Sequence, residues 1–194
     1  TIDLLSAILP GNANYFYARY TMGIANSRMG KWDEAENCFR DIIDQPASNQ
    51  SELDLQDAAK VKLGHIYFSG ENANIPEAAG LYGQVKPGSP VYDEAMLALG
   101  WSFLKVNKPD EALKYAQWII KNMPDSFLLS EAYLVEGYCF YMKKDYNNAE
   151  KSLSNAEKLT EKPVVSMAAR DSARKAYEDN EAHFDSVQAK ARSE

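Results

Sequence analysis

Four copies of one pattern constrain this chain more than any other feature. They are "MGIANSRMGKWDEAENCFRDII" (22–43), "LGHIYFSGENANIPEAAGLYGQV" (63–85), "LGWSFLKVNKPDEALKYAQWII" (99–120) and "EGYCFYMKKDYNNAEKSLSNAE" (136–157). Each opens beside a glycine, runs through an aromatic-rich stretch and a polar turn, and resumes near an alanine. The glycines are Gly23, Gly64, Gly100 and Gly137, spaced 41, 36 and 37 residues apart, and the alanines are Ala35, Ala78, Ala112 and Ala149. Gly and Ala are 12 residues apart in three copies and 14 in the second, whose turn "SGENAN" carries two extra residues. Each joint holds a proline: Pro46, Pro90, Pro124 and Pro163. Such a period predicts a solenoid of helical hairpins, since one hairpin cannot bury its apolar face alone and stacked hairpins can.

Two antiparallel helices that cross closely need a contact point without bulk. Gly100 on the first helix and Ala112 on the second are predicted to supply it, with Leu, Phe and Tyr at the flanking offsets filling the seam. Leucine at position 100 is expected to overpack that crossing by about 1–3 kcal/mol. Helix starts are read at Ser89-Pro90, at Lys108-Pro109 followed by Asp110 and Glu111, and at Pro124-Asp125-Ser126.

The pattern resembles the tetratricopeptide repeat family. The third copy keeps that family's Leu99, Gly100, Phe103, Ala112, Ile119 and Pro124, and the first keeps Gly23, Ala35, Phe39 and Ile42. The second keeps Leu63, Gly64, Tyr67, Ala78, Tyr82, Val85 and Pro90. The fourth keeps Gly137, Phe140, Ala149, Leu153 and Ala156, with Glu136 where the family has Leu. The resemblance implies an all-α, right-handed superhelix of helix–turn–helix repeats with a C-terminal helix. The expected division is 1–10 as the end of a preceding repeat, repeats at 11–47, 48–88, 89–124 and 125–160, and a capping helix or arm at 161–194. Pro10 and Pro124 each lie 13 residues before their glycine, so residues 2–9 read as the end of an earlier second helix, in a chain cut from a longer array. Beyond Pro163, Met167, Ala173, Tyr177, Phe184 and Val187 form a thin apolar stripe on good helix formers. Repeats of 36–37 residues with a Pro-Asp-Ser joint are similar to those of bacterial cell-envelope assembly proteins, which implies the periplasm or envelope, with the cytoplasm as the alternative.

Chemistry is excluded more readily than it is found. A net charge of −7 and a pI near 5.0 do not suit nucleic acid, whose phosphates need a basic face. Lys and Arg are scattered, which does not suit an anionic membrane surface, and no apolar run reaches the roughly 18 residues of a membrane span. Cys38 and Cys139 lack ligand spacing and read as small buried apolar residues. His65 and His183 are the only histidines, and no cluster has metal spacing. "GLYGQVKPGS" puts Gly80 and Gly83 within a helix rather than in a phosphate loop, "NQS" at 49–51 is a chance glycosylation match, and Asp33-Glu34 suits a helix dipole. The expectation is a non-enzyme without metal or cofactor.

Helical rotation of about 100° per residue separates two arcs on each first helix. With Gly100 at zero, Met96, Leu99 and Phe103 face the second helix, while Leu97, Trp101 and Leu104 point elsewhere. In the resembled family that second arc lines a concave groove where peptides bind. Its offsets are Tyr17, Tyr20 and Ile24; Val61, His65 and Phe68; Leu97, Trp101 and Leu104; and Leu134, Tyr138 and Tyr141, flanked by Ser27, Arg28, Ala58, Ser69, Glu94, Lys105, Glu131 and Met142. Members that grip a C-terminal carboxylate use Lys, Arg and Asn there. Here Ile24, His65, Trp101 and Tyr138 stand where Asn is favoured, which implies no such clamp. An exposed apolar stripe calls for cover. The expected occupant is an apolar or helical segment of a protein or peptide partner. The alternatives are filling in cis by the C-terminal helix, filling by a second copy in a homodimer, or a tight curl that makes these residues core. His65 is expected to pack beside Phe68, with a pH-sensitive contact as the alternative.

Overall fold

The computed structural model describes residues 2–69 and 73–161. The helix expected beyond Pro163, with Met167, Ala173, Tyr177, Phe184 and Val187, and the middle of the "SGENAN" turn lie outside the described residues. Among the described residues every regular element is α-helical: α1 Ile2–Ser6, α2 Tyr15–Arg28, α3 Trp32–Ile43, α4 Gln50–Ser69, α5 Ile75–Gly83, α6 Tyr92–Lys105, α7 Pro109–Asn122, α8 Leu129–Met142 and α9 Tyr146–Glu161. Residues 1–156 form one compact unit and 157–194 a second. Within the first, α2 pairs with α3, α4 with α5 and α6 with α7, and α3, α5 and α7 pack in turn on α4, α6 and α8. Each helix therefore serves both its own hairpin and the next.

The turn inside each hairpin follows from local backbone chemistry. Gly30, Asn107 and Lys144 stand at the same repeat position with φ of 73°, 58° and 61°. The following amides, of Lys31, Lys108 and Asp145, each donate at 2.9 Å to a carbonyl five residues back, on Asn26, Phe103 and Phe140. A left-handed residue just past the helix end satisfies these last carbonyls. The second hairpin, with its longer turn, closes instead by Asn74 N–H donating to the Tyr67 carbonyl at 2.8 Å, and Asn74 Oδ1 accepts from Glu77 N–H to start α5. Pro109 occupies the first turn of α7 as expected. Ser89-Pro90 does not start α6, which begins at Tyr92 after Val91. Ser89 and Ser126 instead close turns, their hydroxyls accepting from Val91 N–H at 3.5 Å and Leu128 N–H at 3.1 Å. The chain must finish that turn before helical bonding can begin.

Amphipathic second helices build the core. On α3, Ala35, Cys38, Phe39 and Ile42 are buried at helical spacing. Cys38 and Cys139 are buried free thiols, and burial raises both, Cys139 to about 11, so neither is a reactive thiolate at neutral pH. The glycines sit against the residue four positions past the repeat alanine. A Cβ on Gly23 would stand 2.5 Å from Phe39 Cε1, one on Gly64 would enter the Tyr82 ring, and one on Gly137 would stand 2.8 Å from Leu153 Cδ2. Gly100 differs from the other three. Its equivalent partner position is Ala116, so a Cβ there meets Val135 Cγ1 at 3.3 Å and the Ala112 carbonyl only at 3.8 Å. A small residue on the second helix has already relieved that crossing.

The Tyr82 ring is fully buried, and its hydroxyl has no hydrogen-bond partner among the described residues. Burial correspondingly drives its pKa well above the usual tyrosine value. A buried hydroxyl without a partner costs about 1–3 kcal/mol. Tyr82→Phe is therefore expected to leave urea-unfolding stability unchanged or raise it by up to about 1 kcal/mol. A clear loss would mean that the hydroxyl has a partner.

Candidate functional site

The second arc of each first helix does not form one uniform surface. Val61 and Leu97 are 0% and 5% exposed and belong to the core, so they drop out of the expected groove. Both lie on inner repeats, where a neighbouring helix on each side covers them. In the first repeat Tyr17 is exposed, while Tyr20 is half-buried with its ring 5.9 Å from that of Phe39. Ile24 lines a cavity of about 920 Å³ with Arg28, Trp32, Lys62, His65 and Tyr67. Trp32 and Lys62 were not expected here: Trp32 opens α3 rather than lying on a first helix, and Lys62 is one residue off the arc. The exposed indole at the hairpin turn was the signal available for Trp32.

His65 faces α5 and α6. Its ring lies 5.6 Å from that of Tyr82 on α5, and its Nδ1 is 3.8 Å from Glu94. Glu94 is already paired with Lys62, whose Nζ donates at 2.8 Å. Burial lowers the His65 pKa, the Lys62 charge lowers it further, and Glu94 opposes both. With its folded pKa below the ordinary value of 6.5, His65 favours the fold in its neutral form. That stability is complete above pH 6.5 and is lost as the pH falls through the folded pKa. His65→Gln is expected to flatten the acid limb of a Tm-against-pH curve, and an unchanged limb would assign it to carboxylates.

Toward the fourth repeat the arc becomes an aromatic surface. Phe68, Trp101, Leu104, Lys105, Tyr138 and Met142 line a depression of about 300 Å³. The α6 helix holds Trp101 half-buried, its ring 5.9 Å from that of Tyr138 on α8. The indole N–H donates to Glu131 Oε1 at 2.8 Å, which satisfies the polar edge of an otherwise apolar ring. Lys105 places Nζ 4.3 Å from the Phe68 ring centroid and donates to the Phe68 carbonyl at 2.6 Å. Along α8 the exposed side chains are Leu134 at 37%, Tyr138 at 50%, Tyr141 at 62% and Met142 at 39%. Tyr141 touches Tyr146 of α9, ring centroids 5.9 Å apart. The structure thus brings together Phe68, Trp101, Leu104 and Tyr138 around one depression, places Tyr141 against Tyr146, and keeps Tyr17, Tyr20 and Ile24 at the first repeat.

This geometry offers contact area and orienting polar groups. Among the described residues no group of three or more His, Cys, Asp or Glu could hold a metal ion, and no helix is long and apolar enough to cross a membrane. A model of the tetratricopeptide repeat family matches residues 17–48 and 94–126. No curated protein matches the sequence. A crystal structure of MamA matches over 83% of this chain and 87% of that chain, with a TM-score of 0.62 at 18% identity, a level that bears on the fold alone. In fold, then, the described residues form an all-α stack of tetratricopeptide-type helical hairpins, matched by the family's model over the segments that carry Gly23 and Gly100.

Proposed function

We propose that this protein is a non-catalytic interaction scaffold whose aromatic depression takes a hydrophobic or amphipathic helical segment of a partner protein. The carrying observation is the run of exposed aromatic and apolar side chains on α8 beside a half-buried tryptophan. Tyr138, 50% exposed, lines the depression of about 300 Å³, and Tyr141 on the same helix is 62% exposed. Such surface on a repeat array marks a docking site, and rigid aromatics anchor ligands at low entropy cost. The resemblance of the repeat spacing and the Pro-Asp-Ser joint to bacterial cell-envelope assembly proteins supports an envelope location in this reading, with the cytoplasm as the alternative.

The test is binding of a labelled amphipathic helical peptide, followed by fluorescence anisotropy. Tyr138→Ala should weaken it by about ten-fold or more. Phe127→Ala, at an 85% exposed aromatic outside the depression, should not. Equal effects from the two would sink the reading. A second copy as occupant would appear as a sedimenting dimer that Tyr138→Ala dissociates.

A further inference from the structure

We propose that the segment seated in the aromatic depression is basic. One of its lysine or arginine side chains stacks on Trp101 and Tyr138 and pairs with Glu131. This rests on the groove reading above and adds the partner's charge to it.

Three observations converge. The first is a precedent within the chain. Lys105 lays its ammonium 4.3 Å from the Phe68 ring centroid, so one aromatic wall of the depression already accepts a cation. The adjoining walls, Trp101 and Tyr138, carry no such cation among the described residues.

The second is the carboxylate at their edge. The Trp101 indole N–H holds Glu131 Oε1 at 2.8 Å, and Glu131 is only partly exposed. Among the described residues it has no ion-pair partner, whereas Glu94, one repeat earlier on the same arc, is paired with Lys62. A hydrogen bond to a neutral indole orients a carboxylate without neutralising it. An incoming guanidinium or ammonium would supply the missing charge while covering the aromatic faces. Lysines near the site are already engaged: Lys105 with the Phe68 carbonyl, and Lys143 with Asp110 at 2.5 Å.

The third is the field. The chain carries −7, and all of this net charge belongs to residues 1–161. A basic segment is drawn toward such a surface and an acidic one repelled.

The experiment uses three synthetic amphipathic peptides that share one Leu/Phe face and carry Arg, Gln or Glu at their polar positions. Each is titrated into the full chain by calorimetry. The Arg peptide should bind about ten-fold tighter than the Gln peptide, the Glu peptide should bind most weakly, and the Arg advantage should shrink with added salt. Glu131→Gln keeps an acceptor for the indole. It should weaken the Arg peptide by about three- to ten-fold and the Gln peptide by much less. Equal affinities for the Arg and Gln peptides, or an Arg affinity indifferent to Glu131→Gln, would overturn the basic assignment and leave the groove reading standing. No binding by any of the three would overturn both.

Discussion

Gly23→Ala adds one methyl group and is expected to lower unfolding stability by about 1–3 kcal/mol, whereas Gly100→Ala should be neutral or slightly stabilising. The difference lies in what each methyl would meet. At Gly23 it would stand 2.5 Å from Phe39 Cε1, closer than real Cβ contacts come. Phe39 is 0% exposed, so the ring has nowhere to move without displacing the core around Ile42 and Leu63. At Gly100 the nearest atom is Val135 Cγ1 at 3.3 Å, and a shift of a few tenths of an ångström suffices. Alanine is also favoured over glycine within a helix by about 1 kcal/mol, which offsets that strain. Gly64→Ala should follow Gly23→Ala, since it faces the buried Tyr82 ring. Gly137→Ala should fall between the extremes, because Leu153 is flexible and 39% exposed and can swing away. Urea-unfolding midpoints of the four alanine variants check this order. A Gly100→Ala loss as large as that of Gly23→Ala would show that the third crossing is as tight as the first.

Trp101→Ala should cost the amphipathic peptide at least about 2 kcal/mol of binding, roughly thirty-fold, with the helical signal retained. Trp101 forms the middle of the depression, between Phe68 of the preceding repeat and Tyr138 of the following one. Removing it deletes one wall, frees the Tyr138 ring whose centroid lies 5.9 Å away, and leaves Glu131 without its indole donor. Its half-buried position also predicts some loss of stability, so Trp101→Phe is the companion variant. That change keeps a ring in place and removes only the N–H, and it should weaken binding less than alanine does. Calorimetry and thermal unfolding on both variants separate the outcomes. If unfolding stability collapses while binding per folded molecule persists, Trp101 is core and the groove assignment fails.

Much of the architecture was legible because periodicity reports it directly. Glycine and alanine recurring at matched offsets, with apolar residues at helical spacing, require paired helices that cross closely and stack. Phe103 meeting Tyr115 of α7 in parallel, ring centroids 5.5 Å apart, follows from the rotation that turned it toward the second helix. The helix starts were less legible. Serine before proline suits both a cap and a turn, and at Ser89 the turn prevailed. The tightness of each crossing was legible in principle, since Ala116 occupies the place held by Phe39, Tyr82 and Leu153 elsewhere. It required comparing the two sides of each crossing rather than the glycines alone.

The site divides along the same line. Helical rotation by itself determined that Trp101 points away from Gly100, because side-chain direction on a helix depends only on position along it. It also determined which residues share that face from repeat to repeat. Only the tertiary structure decided which of them remain a surface. Val61 and Leu97 occupy the same arc as Leu134, yet they are 0% and 5% exposed against its 37%. Exposure depends on what the neighbouring helices cover, and that depends on curvature and on side chains distant in sequence. For the same reason Tyr82 took His65, and Glu131 came within 2.8 Å of the Trp101 indole across 30 residues of chain.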